Sequence, residues 1–211
     1  MRKKNQDKQN RIIEVAIELF AKNGYHNTTV NMITEMANMS TGNFYIYFKS
    51  KEDLLTVIFK DLWINIANEI EKIVKNQNLT PLEKYEALID AIFDPFLINP
   101  NLANVFVNEH LTIMGIGNKK LLSNYMKFIV LGEEVIREGI KQQVFCAYIN
   151  VNIFSSFVYG AIRYLLHLWA ENQFKYPLNI VRDNVKYISI NGLLNNLGLN
   201  YEKNPMDSIS C

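Results

Sequence analysis

Between Ile12 and Phe48 three short apolar stripes follow one another at helical spacing, and only Ala37-Asn38-Met39-Ser40 separates the second from the third. That junction restricts the chain more than any other feature, because two helices joined so tightly must cross steeply and share one small core. Ile12, Ile13, Ala16, Leu19 and Phe20 form the first stripe. Asn23-Gly24 closes it, with Gly24 suited to the left-handed position after a helix. Val30, Ile33 and Ala37 form the second, which starts beside two cap candidates, Thr28 and Thr29. Asn38 suits its exit, since Asn tolerates left-handed backbone better than most residues. Ser40 is placed to cap the third helix, on which Phe44 and Phe48 face inward together.

The remainder also reads as helices. Ser50-Lys51-Glu52-Asp53 resembles a capping box opening a long fourth helix, with Leu54, Leu55, Ile58 and Leu62 on its inner side. The spacing carries it to about Asn76, and with no Gly- or Pro-rich linker after Phe48 it joins the two halves itself. Thr80-Pro81-Leu82-Glu83 opens the next helix: cap, first-turn proline and returning carboxylate. Pro100 and Gly115-Ile116-Gly117 mark later breaks, and long periodic segments follow near 119–142, 150–172 and 178–197. Val144-Phe145-Cys146 and Tyr176-Pro177 separate these segments, Gly198 follows the last, and residues 201–211 read as a frayed tail. The fold expected is all-α, with a helix-turn-helix domain over 1–50 (basic arm 1–11) and an effector-binding and dimerisation domain over 51–200.

Composition narrows the function. Five Pro and nine Gly are too few for a many-turned β fold, and 49% apolar residues suffice for a buried core. Cys146 and Cys211 make neither a disulfide framework nor a zinc knuckle, which points to a reducing cytoplasmic setting. No apolar signal segment follows Met1-Arg2-Lys3-Lys4, and Ser155, Ser156, Arg163 and His167 interrupt the most apolar stretch, so no membrane span is expected. The chain lacks a phosphate-cradling Gly loop, a His-Glu-x-x-His site, a Cys-x-x-Cys pair and a nucleophile elbow, so neither enzyme, metal nor cofactor is expected. Glu109 and His110 are adjacent, so on a helix they diverge by about 100° and make a poor acid–base pair. Net charge is only +1, yet residues 1–11 hold five basic side chains against one acidic. A basic end on a mildly acidic body suits a polyanion partner; an ordinary solvated terminus is the plainer reading.

Phe44 and Phe48 leave Thr41, Gly42, Asn43, Tyr45 and Tyr47 for the outer side of the third helix. A major groove admits one helix, and Thr and Asn can meet its base edges. Periodicity alone leaves a plain three-helix corner open. The stretches Ile12–Tyr25, Thr28-Thr29-Val30 and Ser40–Leu55 together closely resemble the amino-terminal domain of the tetracycline-repressor (TetR) family. The resemblance implies a homodimeric transcriptional regulator of roughly nine helices, usually a repressor, that binds double-stranded operator DNA and holds a small effector in its carboxy-terminal domain. It places Thr41, Gly42, Asn43 and Tyr45 on the reading helix, Asn31 beside the bases, and Thr29, Tyr47 and Lys51 on backbone phosphates. Asn38, Thr34, Met39, Asn43 and Ile46 depart from the usual pattern, the last two at positions bearing on base choice.

The second half offers less. Phe157, Ala161 and Leu165 on one segment and Val185 and Ile188 on the next are candidates for a four-helix dimer interface, against the plainer reading as monomer core. Phe96, Phe106, His110, Met114, Tyr125, Phe128, Tyr159 and Arg163 lie on segments that line the effector cavity in the family. Their apolar and aromatic character suits a hydrophobic effector. Arg163, alone among apolar neighbours, either meets an effector's acid group or pairs internally with Glu109 or Glu134. Control by a protein partner instead of a small molecule, and a small helical enzyme, are the rival readings.

Overall fold

The computed structural model describes residues 2–116, 119–172 and 174–194. The described residues hold nine helices, α1 (Arg2–Asn23), α2 (Val30–Met36), α3 (Thr41–Tyr47), α4 (Lys51–Lys75), α5 (Pro81–Ile98), α6 (Pro100–Gly115), α7 (Lys119–Lys141), α8 (Val151–Glu171) and α9 (Leu178–Leu193). They contain no strand, only one isolated bridge between Phe145 and Leu194. The expected tail, Gly117, Gly198 and Cys211 lie outside the described residues.

In the head, each break occurs where the backbone needs it. Gly24 has φ +80 and Asn38 φ +54, the left-handed positions that end α1 and α2. Thr29 caps α2 by accepting from the Met32 N–H, while the buried Thr28 hydroxyl faces the carbonyls of Gly24 (2.9 Å) and Leu19 (3.2 Å). Two caps differ from expectation. Ser40 occupies the N-cap of α3, but its side chain makes no capping bond there. Ser50 accepts from the Asp53 N–H (3.1 Å), whereas the Asp53 carboxylate turns back to the N–H of Lys49 (2.9 Å), one residue earlier than a regular box. The box opening α5, Thr80 with Glu83, is complete. The presumed basic arm is itself helical: α1 begins at Arg2 and is continuous with the apolar stripe.

Phe44 and Phe48 pack together with ring centroids 5.5 Å apart, in one core with Ile12, Val15, Ala16, Ile33, Leu54 and Leu55. That core continues into the body, where α1 packs on α6 and α4 runs along α7. Lys84 on α5, buried, is neutralised by Glu138 on α7 (2.9 Å), as an interior ammonium requires. Lys186 on α9 reaches Asp90 on α5 (2.6 Å). After α7 the chain folds back so tightly that a Cβ on Gly139 would lie 2.0 Å from the Phe145 ring. The Cys146 N–H then donates to the Leu193 carbonyl (2.7 Å), tying this loop to the end of α9.

Candidate nucleic-acid interface and ligand slot

The first site is the outer face of the head. Thr29, Asn31, Gly42 and Tyr45 are exposed, and Thr41, Asn43 and Tyr47 half-buried, around one edge of α2 and α3. The Thr41 hydroxyl donates to the Asn31 carboxamide oxygen (3.2 Å), so the two helices present a linked polar pair. The Tyr47 hydroxyl donates to Asn5 of α1 (3.4 Å), which ties the first turns of α1 to the end of α3.

Lys51 is placed differently from expectation. Its ammonium donates to the carbonyls of Tyr25 (2.6 Å) and Thr28 (2.7 Å), with His26 at 3.4 Å, and sits 4.3 Å from the centre of the Tyr25 ring. Desolvation there lowers its pKa, opposed by the charge of Glu109. The ammonium is engaged with the α1–α2 loop, so Lys51 ties the first turn of α4 to that loop.

The second site is a slot in the body. Ile92, Phe128, Tyr159 and Ile162 border two adjoining voids, which therefore form one run of apolar walls between α4, α5, α7 and α8. One void, about 50 Å³, extends towards Ile70, Tyr85 and Ile136, while the other, about 10 Å³, ends at Arg163. Of the residues expected there, Phe96, Phe106, Phe128, Tyr159 and Arg163 form the walls. His110 and Tyr125 stand behind them, with ring centroids 5.6 Å from Phe106 and 5.4 Å from Tyr159 respectively. Met114 is packed against the core but does not line the slot. Trp63, Ile66 and Ile70 were not anticipated, although they continue the inner stripe of α4 at three- and four-residue spacing.

Polar groups in this region lack partners. The His110 Nδ1 and the hydroxyls of Tyr85 and Tyr159 are buried without hydrogen bonds. Burial pushes the Tyr85 hydroxyl up to about 12, an effect the nearby Ser189 partly offsets, although Ser189 itself donates to the Val185 carbonyl (2.6 Å). Tyr159 is raised by burial and the adjacent Tyr125, and His110 is lowered by burial and by the Arg163 charge. Arg163 is exposed at one end of the slot, and among the described residues it pairs with neither Glu109 nor Glu134. Glu109 instead accepts from the Thr112 hydroxyl (3.0 Å).

On α8 and α9, Phe157 and Ile188 are each 62% exposed, joined by Ile153, Tyr164, Ile180 and Tyr187. Ala161 and Leu165 are half-buried. Val185, one turn from Ile188, is 6% exposed and belongs to the chain's own core, which corrects its assignment to an outer face. Among the described residues no cluster of His, Cys, Asp and Glu is suited to a metal, and no helix is long and apolar enough to cross a membrane.

Comparison with known proteins covers both halves. The sequence model for bacterial regulatory proteins of the tetR family matches residues 12–58, and that for the C-terminal region of YsiA-like proteins matches 59–192. The fatty acid metabolism regulator protein of Bacillus subtilis is 27% identical over 194 residues, 92% of this chain and 99% of the relative. The structure of the B. subtilis transcriptional regulator FadR in complex with stearoyl-CoA superposes with a TM-score of 0.72 at 27% identity, covering 86% of this chain and 97% of that one. The fatty acid degradation regulator FadR of Bacillus halodurans shares the fold with a TM-score of 0.77 at 23% identity, over 88% and 95% of the two chains.

Proposed function

The chain belongs to the TetR family of bacterial regulatory proteins and is a ligand-responsive, DNA-binding transcriptional regulator, and we propose that it is a cytoplasmic repressor released from its operator when a fatty acyl group enters the slot. One observation carries this reading: α4 serves both sites. Its first turn holds the α1–α2 loop through Lys51, and its later turns wall the slot through Trp63, Ile66 and Ile70. A displacement of α4 at the slot therefore moves the base of the head.

The slot suits an acyl chain in character but not in its present size. Its two voids, about 50 and about 10 Å³, are far below the about 300–1,000 Å³ of ligand pockets. Entry must spread α4 and α5 from α7 and α8, and that spreading is the mechanical event. Arg163, at the exposed end of the slot, meets the acidic head of the ligand, and the Tyr159 hydroxyl, buried beside Tyr125, serves as the polar partner of its carbonyl. The relative solved with stearoyl-CoA favours an acyl thioester over other apolar effectors.

Two copies join through α8 and α9, covering Phe157, Ile188 and their exposed apolar neighbours. This sets two reading helices at the about 34–36 Å separation of successive major grooves. Thr29 and Tyr47 hold the DNA backbone, while Asn31, Thr41, Gly42, Asn43 and Tyr45 face the bases. The unit boundaries proposed are a head to residue 50 and a body from 51.

The test is a mobility shift on a duplex selected by the protein from a randomised pool. Stearoyl-CoA should release the duplex, coenzyme A alone should not, and Arg163→Ala should need more ligand for the same release. A complex that persists in saturating stearoyl-CoA would refute the effector assignment.

A further inference from the structure

We propose that Gly42 and Ile46 form an apolar notch that reads the C5-methyl group of a thymine, an element separate from the polar reading by Thr41 and Asn43. The inference rests on the DNA-binding reading above. Ile46 is 69% exposed, and it and Tyr45 are the large exposed hydrophobic residues of the described head. Tyrosine carries a hydroxyl that water can satisfy; isoleucine carries nothing polar, and the rest of the aliphatic side chains on α2 and α3 are buried or half-buried.

Its direction is set by the helix. At about 100° per residue, the inward side of α3 lies between Phe44 and Phe48, and Ile46 falls diametrically opposite. Gly42 lies one turn before Ile46 on that same outward face. Neither packing nor backbone requires a glycine there: an added Cβ would meet only the Ser40 hydroxyl oxygen at 3.9 Å, and Gly24 alone among the described glycines has positive φ. Glycine also weakens a helix relative to alanine. The missing side chain leaves open space one turn before Ile46 on the outward face, room for a methyl group between the α3 backbone and the Ile46 side chain.

The occupant follows from chemistry. Among the four bases only thymine presents a methyl group in the major groove. Asn43 and Tyr45 lie on either side of this outward face, with groups that suit base edges. These polar flanks favour the edge of a base pair over an apolar protein surface.

The experiment uses the full chain and a duplex it selects from a randomised pool. Each thymine of that duplex is replaced in turn by deoxyuridine, which removes only the methyl group. At one thymine per half-site the wild-type protein should bind about fourfold more weakly, the ratio equivalent to ~0.8 kcal/mol for one methyl-sized apolar group. Ile46→Ala should bind thymine and deoxyuridine duplexes alike, and Gly42→Ala, which fills that space, should also lose the discrimination. Ile46→Val should keep part of it. These residues face outward, so the variants retain the fold. Equal wild-type binding to every substituted duplex, or full discrimination retained by Ile46→Ala, overturns the notch while leaving DNA binding intact. If the pool yields no bound duplex at all, the DNA-binding reading itself falls, and the notch with it.

Discussion

Glu109 and His110 are consecutive on α6 and, about 100° apart around it, face different neighbours. The His110 ring packs edge-on against Phe106, with centroids 5.6 Å apart, beside the ligand slot. Glu109 is turned towards the head, where its charge adds to burial and to Glu52 in raising the Tyr25 hydroxyl and supports the protonated state of Lys51. The divergence that disqualifies these residues as an acid–base pair makes α6 a bridge between the slot and the α1–α2 loop.

That burial of His110 gives the protein an acid-sensitive body. Its pKa is lowered in the fold, so below about 6.5, the ordinary value for His, the unfolded chain binds a proton that the folded chain resists. Stability is therefore retained above that value and lost as pH falls through it. Thermal melts at pH 7.5 and 5.5 should show a smaller fall for His110→Phe than for the wild type. An identical fall would remove His110 from the explanation.

Lys51→Ala should act on the head's stability more than on its charge. Charge-assisted bonds to the Tyr25 and Thr28 carbonyls are lost, a cost of about 1.5–3 kcal/mol before solvent exposure reduces it. Chemical denaturation should register this loss. The slope of log affinity against log salt should stay unchanged, whereas removal of a phosphate ligand would lower it by about 1.

Asn43→Ala should change which base is preferred at one position of each half-site. A lost two-point contact to a base is worth about 1–3 kcal/mol of discrimination. Competition between single-base variants of the selected duplex measures it. A uniform loss of affinity across all variants would instead place Asn43 on the backbone.

Gly139→Ala should be among the most damaging small substitutions in the body. The new Cβ would sit 2.0 Å from the Phe145 ring, which is itself buried. Overpacking of this kind costs about 1–3 kcal/mol. The double change Gly139→Ala with Phe145→Leu should recover part of the lost melting temperature.

The head was legible because its signals are local. Gly24 and Asn38 advertise left-handed backbone, and Phe44 and Phe48 define an inner face by spacing alone. The partners of Lys51 are not legible for the opposite reason: they lie 23 to 26 residues earlier, and a long flexible side chain gives no sign of where its head group ends. Val185 and Ile188 show the same limit in the body. Both are apolar on one helix, but only packing reveals that the first faces the chain's own core and the second faces outward. The inner stripe of α4 could have been followed past Leu62 to Trp63, Ile66 and Ile70, since the period continues. Arg163 lay beyond sequence reasoning, because whether a charge among apolar neighbours is paired depends on which helices lie opposite.

The central claim is that ligand and DNA oppose each other through α4, and linkage makes it measurable from the ligand side. Stearoyl-CoA affinity should be determined by calorimetry on the free protein and on the protein saturated with its selected duplex. The account requires weaker binding in the presence of DNA, by the same factor, about 5–150-fold for typical coupled sites, by which stearoyl-CoA weakens the duplex. Equal affinity in the two titrations would contradict it.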